Sequence, residues 1–139
     1  MASPEREKQL QSCTVVVATC ANFVDPLIAF LAPRARLLVA ITHIVPHYYK
    51  RGPVTTARVY ESGRLRQENS YGKRWMPAYR GMAACIAHLL LIAQCAYTLF
   101  ELLARRRRFD LYIGVQHPFP IVGLLLRQLG IVKKVIYYD

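Results

Sequence analysis

Four short apolar runs, each bounded by polar or turn-forming residues, decide most of what this chain can become. Thr14-Val15-Val16-Val17-Ala18 is continuous and β-branched, with no alternation of polar and apolar side chains. A strand reads this way when both of its faces are buried, as in a parallel sheet. Residues 36–41, 109–115 and 133–138 are three further strands of the same apolar kind. Parallel strands need a crossover between them, usually a helix, so the segments between these runs should be helical or inserted.

The intervening segments fit. Asp25-Pro26 reads as a helix start, with Asp25 as the N-cap and Pro26 at the first helical position. Leu27, Ile28, Phe30 and Leu31 then form one apolar face that ends near Pro33. Residues 43–53, rich in Pro and Gly at the far end, are a loop. Ser62-Gly63 joins two β-prone runs, Thr55–Glu61 and 64–68, and predicts a hairpin. Residues 71–81 are a basic loop with the only tryptophan, Trp75. Residues 82–104 are one long helix, and a helix over 121–129 is closed by Gly130. The order predicts an α/β fold: a Rossmann-like parallel sheet with helices on both faces and a β-hairpin insertion. Residues 1–11 read as a frayed terminus and 12–139 as one domain. The last strand has no helix after it, so the domain reads as incomplete.

The chain has 139 residues, 54% of them hydrophobic, a mean hydropathy of +0.18 and a net charge of +11. That charge favours an anionic partner. Nucleic acid is not expected, because no nucleic-acid motif is present and no aromatics interleave the basic run Arg105, Arg106, Arg107, Arg108. The four cysteines, Cys13, Cys20, Cys85 and Cys95, form no C-x-x-C pair, so no metal site is expected. Buried free thiols suit a reducing compartment. The N-terminal Glu5 and Glu7 argue against a signal peptide.

Residues 82–100 contain no formally charged side chain, and at about 1.5 Å per residue they are long enough to span a bilayer core. Three features argue against a span. Gln94, Thr98, Glu101, Arg105 and Arg108 fall on one stripe, opposite Leu89, Ile92, Leu99 and Leu103. Both flanks are basic, so no orientation follows. A span would also place the first two strands and the last two on opposite sides of the membrane. A helix that covers the sheet, with surplus apolar surface facing a membrane or partner, is expected instead. The four arginines beside it are expected to meet anionic lipid, and the chain to sit in the cytoplasm, peripheral on the inner membrane face.

In an open α/β sheet ligands bind beyond the carboxyl ends of the strands. Three loops lie there: 19–24, 43–50 and 116–118. His117 follows a buried strand and precedes a helix N-terminus, a place that favours anions and fixes a side chain. It is the candidate catalytic residue. Thr19, Cys20, Ala21, Asn22, His43, His47, Lys50 and Gln116 are the candidate substrate-binding residues. His43 and His47 are spaced i, i+4, but Pro46 disfavours the helix that would make them metal ligands. There is no G-x-G-x-x-G, no Walker-type loop and no G-x-S-x-G.

The segment RRRRFDLYIGVQHPFPIVGLLLRQLGIVKKVIYYD, residues 105–139, resembles the N-terminal half of GT-B glycosyltransferases of the retaining, glycogen-synthase-like kind. The hairpin at Ser62-Gly63 and the apolar helix before Phe109 agree with it. The resemblance implies a truncated GT-B half that binds a sugar acceptor, often lipid-linked or at a membrane face. It implies a nucleotide-sugar donor held by a separate C-terminal domain and no cofactor held by this domain alone. It places His117 at the interdomain cleft. The first loop departs from the family, because residues 19–22 contain no glycine where glycines usually approach the donor phosphates. The alternative reading is a non-enzymatic, basic, membrane-associated α/β module.

Overall fold

Strand β1 (Thr14–Thr19) is the centre of the fold, and all six of its residues are buried. It pairs in parallel with β2 (Leu37–His43) on one side and with β5 (Phe109–Val115) on the other. β5 pairs in parallel with β6 (Val132–Tyr138). The hairpin β3 (Thr55–Glu61) and β4 (Arg64–Tyr71) extends the sheet beyond β2, with β3 antiparallel to it. The computed structural model describes residues 11–20, 24–43, 55–71 and 84–138, which form a six-stranded sheet in the order β4-β3-β2-β1-β5-β6. The sheet is therefore mixed, not purely parallel: the inserted hairpin supplies the antiparallel pairing. Ser62 and Gly63 have φ of 48° and 83°, and positive φ at both turn residues matches the twist of the flanking strands.

Three helices cover the two faces among the described residues. α1 (Asp25–Leu31) packs Ile28 and Leu31 against Val15, Val17, Leu38 and Ile113. α2 (Ala84–Ala104) and α3 (Phe119–Gln128) cover the other face, where Leu102, Phe119, Val122 and Leu126 meet Val16, Ala18 and Tyr112. Alternate β1 residues thus serve two cores, which is why the run needs no polar positions.

Local expectations shift in three places. Val24, not Asp25, is the N-cap of α1, and Asp25 enters the first turn, where its charge suits the helix dipole. Phe30 is 51% exposed and lies under the Arg34 guanidinium, 4.0 Å from its ring centroid, so it leaves the apolar face predicted for it. α3 starts at Phe119, two residues before the predicted 121, because Pro120 is tolerated in a first turn whose N–H groups lack helical partners.

The largest departure is the side α2 turns inward. Gln94 and Thr98, on its polar edge, are buried against the sheet, whereas Leu89, Ile92 and Phe100 are 63–69% exposed. Among the described residues no helix is long and apolar enough to cross a membrane. What draws the polar edge inward is His43, at the end of β2. Its Nδ1 and Nε2 lie 2.8 Å from Thr55 Oγ1 and Thr98 Oγ1.

Candidate functional site

The chain order fixes where a ligand cleft belongs. From β1 the chain passes to β2 and the hairpin on one side, then returns through α2 to β5 on the other. The direction of winding reverses between β1 and β5, and the loops leaving their carboxyl ends diverge there. Thr19 and Cys20 leave β1 at this point, and Gln116 and His117 leave β5. The register pairs Thr19 with Val115, so the two loops start level.

Gln116 is the brace of this point. Its φ of 63° is unusual for a residue with a side chain, and it is held from three directions. Its N–H donates to Tyr138 O at 3.0 Å, its carbonyl accepts from Phe119 N–H at 3.2 Å, and its Oε1 accepts the Cys20 thiol at 3.1 Å. Burial pushes the Cys20 thiol above its ordinary pKa, against a smaller opposing pull from its own backbone N–H. Cys20 is therefore a neutral thiol that links the two loops, not a nucleophile.

His117 is exposed, its ring 5.3 Å from that of Tyr137 at the end of β6. A cis peptide joins it to Pro118, which is the N-cap of α3. No side chain caps that helix, so the His117 imidazole is not engaged as its cap. The start of α3 is brought close by glycine. A Cβ on Gly114 would lie 2.8 Å from Pro120 N and 2.9 Å from Pro120 Cα, and one on Gly123 would lie 2.5 Å from the Tyr112 ring. A larger residue at Gly114 would push on the first turn of α3, and one at Gly123 on the Tyr112 ring and Val135.

The remaining predicted residues separate. His43 is 3% exposed, stacked on Phe119 at 5.0 Å and edge-on to Tyr97 at 6.2 Å. Thr98 Oγ1 donates its one hydrogen to Gln94 O at 3.0 Å, so it accepts from His43 Nε2–H. Nδ1 is then the acceptor for the Thr55 hydroxyl. Burial holds the imidazole down to about 3, neutral at physiological pH. With both nitrogens engaged, His43 supports the site from beneath and offers no ring nitrogen to a ligand. Thr19 is fully buried. Ala21, Asn22, His47 and Lys50 lie outside the described residues.

Of the four arginines, Arg105 is ion-paired with Glu101 one turn back and mostly covered. Arg106, with φ of 47°, terminates α2 in the left-handed region, and Arg107 and Arg108 are exposed. Tyr137 and Tyr138 were missed as site residues. The rule that selected the other loops, position at the carboxyl end of a parallel strand, also selects them once β6 is paired. Among the described residues no group of three or more His, Cys, Asp or Glu is placed to hold a metal.

No family model, curated protein or solved structure matches this chain.

Proposed function

We propose that the chain is the acceptor-side, Rossmann-like domain of a two-domain GT-B glycosyltransferase. In this reading a nucleotide-sugar is held by a donor domain, in the same chain or a separate subunit, and His117 faces the cleft between the two. An acceptor hydroxyl oxygen bonds to the anomeric carbon, the bond from that carbon to the donor phosphate oxygen breaks, and the nucleoside diphosphate leaves. The acceptor proton passes to a base in the cleft. His117 would hydrogen-bond the reacting sugar or its acceptor.

One observation carries the reading: an exposed histidine at the switch point of the sheet, on a loop braced by Gln116 and set close to β5 by Gly114. The test is a transfer assay with labelled nucleotide-sugars on this chain together with a donor half. His117→Ala should lower turnover by about 100-fold with the fold intact. Transfer unchanged by His117→Ala, or no transfer with any donor half, would refute it.

The acceptor is proposed to be membrane-associated, with the domain adsorbed on an anionic inner membrane face in the cytoplasm. Leu89, Ile92 and Phe100 on α2 and Ile121, Leu124 and Leu125 on α3 are exposed on the outer side of one helix layer. An apolar layer of this kind on a chain of +11 suits a negatively charged lipid surface. Flotation with phosphatidylglycerol vesicles should be lost on Ile92→Ser with Phe100→Ser. Flotation that persists in this double variant excludes the adsorbing layer.

A further inference from the structure

The end of the sheet opposite His117 carries a second feature, independent of glycosyl transfer. At the amino ends of β1, β2 and β5 lies a cleft of about 490 Å³, lined by Thr14, Arg36, Glu61, Ser62, Arg107 and Arg108. Residues from three distant segments meet there: the turn before β2, the β3–β4 turn, and the link from α2 to β5.

The backbone of this cleft is pinned. Arg36 N–H donates to Cys13 O at 3.0 Å and Arg36 O accepts from Ser62 N–H at 3.2 Å. Thr14 Oγ1 donates to Asp110 Oδ2 at 2.8 Å and accepts from Asp110 N–H at 3.0 Å, which ties the start of β1 to the residue two beyond Arg108. The carboxylates nearby are already engaged. Glu61 lies 3.4 Å from Arg66, Glu101 pairs with Arg105, and Asp110 lies 2.6 Å from Lys133. Arg36, Arg107 and Arg108 have no ion pair among the described residues. With Glu61 held by Arg66, three arginines without an ion pair line one hollow, an excess of positive charge that a multivalent anion offsets.

We propose that this cleft binds a phosphate group, either a phosphomonoester or a diphosphate. Guanidinium forks match phosphate oxygens two at a time, which favours a dianionic group over a single carboxylate. The Ser62 hydroxyl adds a neutral donor at the rim. The group is carried by a soluble molecule or by a lipid headgroup, and the binding chemistry is the same for both.

Titration of the 139-residue chain with inorganic pyrophosphate, and co-sedimentation with phosphatidic acid vesicles against phosphatidylcholine vesicles, distinguish the two sources. Arg36→Gln, Arg107→Gln and Arg108→Gln together remove the cleft's charge. Arg58→Gln, Arg127→Gln and Lys134→Gln remove the same charge elsewhere. Saturable pyrophosphate binding, weakened about 10-fold or more in the cleft variant and little in the control, supports a soluble ligand. Sedimentation with phosphatidic acid alone, lost only in the cleft variant, supports a headgroup. Equal weakening in both variants, or no saturable binding to either probe, overturns the proposal. Should the Gln variant unfold, the Arg→Lys triple keeps the charge and removes the fork. Binding that this variant leaves unchanged overturns it as well. A failed transfer assay at His117 would not affect any of these outcomes.

Discussion

Lowering the pH should unfold this domain through His43. The imidazole is ordinarily half-protonated at 6.5, and burial holds it down to about 3 in the folded chain. Between those values the unfolded chain binds a proton that the folded chain refuses. Stability therefore rises with pH, is present in full above 6.5, and is lost as the pH falls toward 3. From pH 7.5 to pH 5 the unfolded state gains about one and a half pH units of protonation, or about 2 kcal/mol. That is a substantial part of the 5–15 kcal/mol typical of a domain. Urea unfolding followed by circular dichroism at pH 7.5, 6.5, 5.5 and 5.0 measures it. His43→Gln should be less stable at pH 7.5 by about 1–3 kcal/mol, because hydroxyls of Thr55 and Thr98 lose a partner. It should also show a much flatter dependence over this range. Nitrogen NMR of the wild type should report the Nε2–H tautomer. Equal slopes in the two proteins, or a flat wild-type profile, would refute the buried, neutral histidine.

Two further perturbations test the frame around the site. Gly114→Ala should destabilise by about 1–3 kcal/mol, measured by the same urea unfolding, because the added methyl meets the α3 backbone rather than a movable side chain. A stability within 0.5 kcal/mol of wild type would show that α3 can retreat. Asp110 is lowered from 3.8 to about 2, chiefly by its hydrogen bond from Lys133 and then by that from Thr14 N–H. Its contribution is present above pH 3.8 and lost as the pH falls through 2, so Asp110→Asn should flatten the decline of Tm between pH 4 and pH 2.

What was legible in the sequence was whatever a short window determines. Five apolar or β-branched residues in a row at 14–18 mark a strand buried on both faces, and β1 is that strand. Ser62-Gly63 predicts a hairpin as a glycine-containing two-residue link between β-prone runs, and both residues take positive φ there. His117 could be placed beyond a strand and before a helix for the same reason. What depended on distant partners was not legible. The stripe of Gln94 and Thr98 has the same periodicity whether it faces water or the sheet, and only His43, 55 positions from Thr98, settles the choice. Phe30 belongs to an apolar face by spacing but finds Arg34 instead. Arg36 meets Arg107 and Arg108 only after the sheet has formed.

The central position of β1 has a consequence for synthesis. During translation β1, β2 and the hairpin emerge first and can pair with one another. The other edge of β1, a row of valines with unpaired backbone groups, then stays bare until β5 arrives, since Thr14 meets Asp110 across 96 positions. Such an edge is a template for the wrong strand. The nascent chain thus passes through an interval in which its most buried strand is its most vulnerable, and a ribosome-associated chaperone would find its clearest target there.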